Sequence, residues 1–397
     1  MGKLIIIAAA IINLSLEGLL KEAEQNNPEI LSSKNEYEAY ALRVNPANFP
    51  PDPVLFLSGK TAMREFGVFI EQNIPAPKKL SALAEITNNE ALLKLEKIKD
   101  IKITVLSEVS KEYFEYSYLN NVLEIHKEVK DIYENMSKIV AANYSTGKAS
   151  LAELSRILSK IAQTQTEINR IQGEIESVRA KISYLVGKDV MIEKLNTLPY
   201  PKDTRIIHIA EAELENAPKI KIAKIEKEIK QNEKNLAKAE YYPDLSVRIG
   251  GTYSRDFGAG VEVMFGLSIP VYSRWKQSQI VLSKTIEEKA YENLLEKTIL
   301  ETKSLLKEKA STLIYSFENI KLYQEALDHA HVSVKSTLSR WTTGKINLTD
   351  SLSAITEYLE IKIGLEKEKN EYWKAFSEII RISGLDPLKT FKEVGIQ

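Results

Sequence analysis

The sequence predicts a mainly α-helical chain with a small β part whose strands alternate as membrane-spanning strands do. Three observations predict this. Helix breakers are scarce: 16 Gly and 13 Pro make 29 of 397 residues, about 7 % against roughly 12 % in average usage. The stretches 78–146 and 271–343 contain neither residue. Segments of about ten residues with period-two alternation precede the second of these stretches.

Composition removes many functions. The 54 basic and 55 acidic side chains nearly cancel and are spread along the chain, so the electrostatic footprint of a nucleic-acid binder is missing. With no Cys there is no disulfide, thiolate metal site, cysteine nucleophile or lipid-bearing thiol. Four His and five scattered Met form no metal-ligand spacing, and His329 and His331, two apart, face different sides of a helix. His126 and His208 are isolated. No Gly-rich phosphate loop or Ser-His-Asp ordering occurs, so the sequence implies no enzyme and no cofactor.

Taken in order, residues 1–13 read as a short secretory signal, with Lys3 ahead of the apolar run Leu4–Ile12. The run is too short to span a bilayer, which needs about 20 apolar residues. Two copies of one unit follow, 14–187 and 204–384, joined by a charged linker (188–203) and ended by a tail (385–397). Tyr144-Ser-Thr-Gly147-Lys148 recurs as Trp341-Thr-Thr-Gly344-Lys345, an offset of 197. Asn73-Ile74-Pro75 recurs as Ser268-Ile269-Pro270 and Leu185-Val186-Gly187 as Ile382-Ser383-Gly384, at offsets of 195 and 197.

Each copy opens with a helix interrupted at a proline, over 15–45 with Pro28 and over 206–241 with Pro218. A hairpin comes next, about 54–74 and about 244–270, bracketed by Pro53, Pro75, Pro77, Pro243 and Pro270 at the mouth of the sheet. Asp52, between two prolines, is turn chemistry there. Leu245, Val247, Ile249, Gly251 and Tyr253 alternate with polar or small residues, as do Val261, Val263, Phe265, Leu267 and Ile269. That is the apolar-out, polar-in dyad of a transmembrane β-barrel strand. Strand one, Val54–Gly59, barely alternates.

A helical hairpin closes each copy, 78–186 and 271–383. About 65 helical residues would reach roughly 100 Å, more than a globular domain can bury. Val105, Val109, Tyr113 and Phe114 form one apolar stripe, and Leu151, Leu154, Ile157 and Leu158 another. Gly173 and Gly364 in the return helices mark a bend or close packing. Four strands per chain cannot close a barrel, and lipid tolerates no open edge, so several chains are required; three would give twelve strands.

The tip turns carry the functional candidates. Gly147 and Gly344 sit where a left-handed residue ends a helix. Ser150-Leu-Ala-Glu153 reads as a capping box, and Asn347-Leu-Thr-Asp350 as the same device with an Asn cap.

In its landmarks the chain resembles the TolC family of outer-membrane efflux ducts. The resemblance covers 14–384 and rests on four patterns: Leu16-Glu-Gly-Leu-Leu-Lys-Glu-Ala-Glu-Gln-Asn-Asn-Pro28, Pro51-Asp52-Pro53, Glu71-Gln72-Asn73-Ile74-Pro75-Ala76-Pro77-Lys78-Lys79, and Asn143-Tyr144-Ser-Thr-Gly147-Lys148. The third pattern is most like the branch that serves metal-ion pumps. The resemblance implies a homotrimer with a twelve-stranded barrel in outer-membrane lipid and a hollow helical barrel in the periplasm. It also implies a periplasmic adaptor and an inner-membrane pump as partners, and passive export of small molecules or metal ions. At the tips it implies a periplasmic gate of Glu153, Trp341 and Asp350, with Tyr144, Gly147, Lys148 and Gly344 in the turns that meet the adaptor. The family's gate arginine aligns with Ile346, leaving Lys345 as the nearest cation, and a second pore acid aligns with Ser353. The alternative is a periplasmic coiled-coil adaptor, which should carry one helical hairpin between β-rich halves.

Overall fold

The structure is a computed structural model that describes residues 13–60, 65–192 and 198–396. Residues 1–12 of the signal segment read at 1–13, and residues 61–64 of the hairpin read at about 54–74, lie outside these residues. Among the described residues, helix dominates. Helices α1 (Leu16–Asn26) and α2 (Pro28–Val44) flank Pro28, and α5 (Ile206–Glu213) and α6 (Pro218–Ala239) flank a short 3-10 turn before Pro218. Helix α3 (Pro77–Ser145) is followed by α4 (Leu151–Val186), α7 (Gln277–Thr342) by α8 (Leu348–Ser383), and α9 (Pro387–Glu393) ends the chain. No described helix is long and apolar enough to cross a membrane, which says nothing about a sheet.

The chain folds as two compact units, and each draws on both halves of the sequence. One comprises Met1–Leu31, Ile101–Leu214 and Lys303–Gln397; the other comprises Ser32–Asp100 and Glu215–Thr302. In the first, an aromatic core gathers Tyr113, Phe114, Tyr372, Trp373, Phe376 and Phe391, with Phe114 stacked on Trp373 at 5.4 Å. Trp373 Nε1 donates to Pro199 O (2.9 Å) and Tyr372 Oη to Asp203 O (2.6 Å), so α8 holds the linker. A short parallel bridge pairs β1 (Asn13–Leu14) with β4 (Met191–Ile192).

Val105, Val109, Tyr113 and Phe114 are all buried. The second stripe behaves differently: Ile157 is fully buried, whereas Leu151 and Leu158 are 61 % and 51 % exposed. At 100° per residue those two fall on the edge of the arc that Ile157 centres. Of the return-helix glycines, Gly364 is a close contact, since a Cβ there would lie 2.5 Å from the Tyr323 ring, while Gly173 has open space around it.

The second unit holds one antiparallel sheet in the order β2-β3-β5-β6, made of Val54–Lys60, Glu65–Ile74, Asp244–Ser254 and Gly258–Ser268. Pairing of β3 with β5 joins the two hairpins. The helix read from 271 starts instead at Gln277. Residues 271–276 form successive turns, in which Tyr272 O accepts from both Trp275 N–H (3.0 Å) and Lys276 N–H (2.8 Å). The first is a tightened i→i+3 bond and the second has α-helical i→i+4 spacing.

Candidate functional site: a sorted sheet and paired helix tips

The register sorts most of the sheet into two unlike faces. Opposed residues share a face. Leu55, Ile70, Ile249 and Val263 are aligned across the four strands, and so are Leu57, Val68, Gly251 and Val261. Phe66 with Tyr253, Val247 with Phe265, and Leu245 with Leu267 complete an apolar face. Gln72 interrupts it, and its Nε2 is taken up by the carbonyls of Pro51 and Asn73, each at 2.8 Å. In strand one Leu55 and Leu57 join this face, while the equally apolar Val54 and Phe56 lie on the other. The face is open, with Val261 84 %, Phe265 75 % and Leu57 68 % exposed.

The opposite face is polar. Arg248 pairs with Glu71 and lies over the Phe56 ring at 4.6 Å. Phe69 is buried on this face, and its ring occupies the space that Gly67 and Gly250 leave. A Cβ on Gly250 would lie 2.4 Å from that ring and 2.3 Å from Val68 O. Both outer strands, β2 and β6, have a free edge among the described residues.

The prolines frame the sheet. Pro53 precedes β2, Pro75 follows β3, Pro77 is the first residue of α3, Pro243 precedes β5 and Pro270 follows β6. Asp244 ties this end together, accepting from Ala76 N–H (2.9 Å) and from Lys79 Nζ (2.9 Å), while Glu240 lies 3.4 Å from the same ammonium.

In the first unit the two tips share one backbone device. Lys148 N–H donates to Asn143 O (2.8 Å) and Gly147 N–H to Tyr144 O (3.0 Å), with Gly147 at φ 72°. Lys345 N–H donates to Arg340 O (2.8 Å) and Gly344 N–H to Trp341 O (2.9 Å), with Gly344 at φ 71°. These are Schellman turns, which need a left-handed residue at the glycine. Ser150 and Glu153 make the full capping box: Glu153 N–H reaches Ser150 Oγ at 3.2 Å, and Ser150 N–H reaches Glu153 Oε2 at 2.8 Å. At the second tip only half of it forms. Asn347 Oδ1 accepts Asp350 N–H at 2.8 Å, and the Asp350 carboxyl, one methylene shorter, makes no return bond.

The candidate gate residues are therefore placed unequally. Trp341 packs on a core of Tyr133, Val140, Ile157, Leu348, Leu352 and Ile355, and Tyr144 is 44 % exposed. Lys148, Lys345 and Asp350 are exposed. Glu153 is committed to Ser150 and not to Lys345. The cation that links the tips is Arg156, which donates from α4 to Thr349 Oγ1 in the first turn of α8. Sequence reading missed it; its signal was its place six residues beyond the Ser150 cap, on the first exposed turns of the return helix. Behind the tip, His126 is buried with Nδ1 unpartnered, and burial pushes its pKa down. Among the described residues no three His, Asp or Glu side chains converge as metal ligands do.

Long helical hairpins and a four-stranded sheet with one bare apolar face make up the fold. The resemblance to TolC-family ducts holds for this fold. Two solved structures share it: CusC, at TM-score 0.79 and 16 % identity over 95 % of this chain and 93 % of that one, and the outer membrane protein VceC of Vibrio cholerae, at TM-score 0.80 and 14 % identity over 93 % and 96 %. The cobalt-zinc-cadmium resistance protein CzcC of Cupriavidus metallidurans is 20 % identical over 388 residues, covering 94 % of this chain and 90 % of that protein. No family model matches the sequence.

Proposed function

We propose that the chain is one subunit of an outer-membrane exit duct, the passive channel of a tripartite exporter. The observation that carries the reading is the sorted sheet. A face of bare apolar side chains, backed by a polar face and ended by two unpaired edges, is unsuited to water and incomplete in lipid. Three copies, edge to edge, would close twelve strands with the apolar face outward and the polar face lining the lumen. Exposed apolar residues along α7, among them Leu282, Ile286 and Leu300, give the helices surface to bury between copies.

The helical tips would then form the periplasmic mouth. Glu153, Trp341, Lys345 and Asp350 are the proposed gate, and Tyr144, Gly147, Lys148 and Gly344 the proposed contact with an adaptor that couples the duct to an inner-membrane pump. Threefold symmetry would repeat Asp350 as an acidic ring, which attracts cations and repels anions in a narrow pore. Similarity to a cobalt-zinc-cadmium resistance protein favours a metal-ion exporter, with the choice of cargo left to the pump. Two helical hairpins on a single sheet do not fit the adaptor alternative. The test is conductance: purified protein added to a planar bilayer should give discrete steps, and a preparation that inserts without conducting would refute the duct.

A further inference from the structure

The two halves of the chain differ just after their hairpins. Helix α3 begins at Pro77, two residues beyond Pro75, whereas α7 begins at Gln277, seven beyond Pro270. The residues between are Val271-Tyr-Ser-Arg-Trp-Lys276, six against the single Ala76 of the first copy, and they are folded as turns instead of being packed away. Val271 and Tyr272 are each 68 % exposed and Trp275 is 71 % exposed. Arg274 and Lys276 are exposed too, and no ion pair holds either among the described residues. From Val263 to Ile286 the sequence contains no acidic residue. Across the junction, Glu240 and Asp244 are occupied by Lys79.

The segment follows directly on β6, whose last residue, Ser268, pairs with Asp244 at the helical end of the sheet, one residue beyond Leu267 of the apolar face. Phe49, Tyr241 and Tyr242 are exposed in the segments that lead into β2 and β5 at that same end. At the turn end the exposed aromatics are Phe66, Tyr253 and Phe257, the last 92 % exposed. Aromatic side chains thus stand at both ends of the apolar band, as at a lipid–water boundary. The helical end alone adds a cationic segment free of carboxylates.

Resting on the duct reading, we infer that Val271–Lys276 is a phospholipid anchor. Tyr272 and Trp275 seat at the headgroup level, and Arg274 with Lys276 recruits anionic phospholipid to the membrane face nearest the helices. The first repeat lacks the device, so each subunit supplies one anchor. Aromatic rings suit this depth because one edge is apolar and the other wet, and each basic side chain near an anionic surface strengthens the attraction to it about fivefold.

The assay is quenching of Trp275 fluorescence in bilayers, read as wild type minus Trp275→Phe; of the other two tryptophans, Trp373 is buried and Trp341 is held at the tip. Full-length protein is reconstituted in phosphatidylcholine with phosphatidylglycerol, one lipid at a time brominated near the glycerol end of its chains. Brominated phosphatidylglycerol should quench Trp275 several-fold more than brominated phosphatidylcholine at equal mole fraction. The preference should disappear in the Arg274→Gln, Lys276→Gln double variant. Equal quenching by both lipids, or none, overturns the anchor. A Val263→Trp reporter in the Trp275→Phe background, read with lipid brominated near the methyl ends of its chains, separates the two levels of the account. If it is quenched while Trp275 is not, the anchor alone fails; if neither is quenched, the membrane reading fails and the anchor with it.

Discussion

Neighbouring residues on β6 should respond oppositely to the same charge. Val263 is the sixth of the eleven residues in Gly258–Ser268 and lies on the apolar face, while Glu262 lies on the polar face. In an eleven-residue strand that spans a bilayer, the sixth residue falls near the midplane, where an outward Arg costs about 2–4 kcal/mol. At 1.4 kcal/mol per factor of ten, a cost of about 3 kcal/mol lowers the folded-to-unfolded ratio by roughly a hundredfold in each subunit. Val263 is 50 % exposed in the single chain, so a soluble protein would absorb Val263→Arg within about 0.5 kcal/mol. The assay is urea titration of the protein folded into phospholipid vesicles, with Glu262→Arg as the control that introduces the same side chain on the other face. Val263→Arg should lower the unfolding midpoint markedly, and Glu262→Arg should leave it near that of the parent. Equal midpoints for the two variants, or loss in Glu262→Arg alone, would refute the assignment of faces.

Three further outcomes follow from the geometry. Burial alone would push the Glu378 carboxyl up, but hydrogen bonding from Lys111 and the charge of Arg381 outweigh it and hold the carboxyl below its ordinary 4.5. The network therefore stabilises fully above that pH and loses its contribution as pH falls through the lowered value. Glu378→Gln should cost about 2 kcal/mol at neutral pH and almost nothing in acid, read as the gap between the two melting curves. Gly147→Ala should cost about 1 kcal/mol, the price of a left-handed alanine in open space, whereas Gly187→Ala should cost about 3 kcal/mol because its Cβ would lie 2.5 Å from Asn26 O; equal losses in thermal melts would contradict this. Arg156→Ala removes the link to Thr349 and should raise the open fraction of the channel several-fold in bilayer recordings, with the melting temperature little changed.

How much of this was legible beforehand varies along the chain. The long helices were, because 78–146 lacks any breaker and its apolar residues keep helical spacing. The turns at 271–276 were not, since Val-Tyr-Ser-Arg-Trp-Lys contains no Gly or Pro to announce them. Strand one looked unpatterned because Val54 and Phe56 are as apolar as Leu55 and Leu57; only the register with Ile70 and Val68 shows which pair faces outward. At the tips, Gly147 and Gly344 were legible from their spacing, and their φ values agree. Arg156 was not, because its bond to Thr349 joins positions 193 residues apart, and a one-dimensional pattern carries no such contact.

The central claim is that the open sheet is completed by copies of itself in a membrane. The most direct measurement is the mass and location of the full-length protein in its own cell envelope. Extraction from the outer-membrane fraction should require detergent and yield a particle of three chains, about 135 kDa of protein from 44.9 kDa each. A monomer or dimer released without detergent would contradict the account.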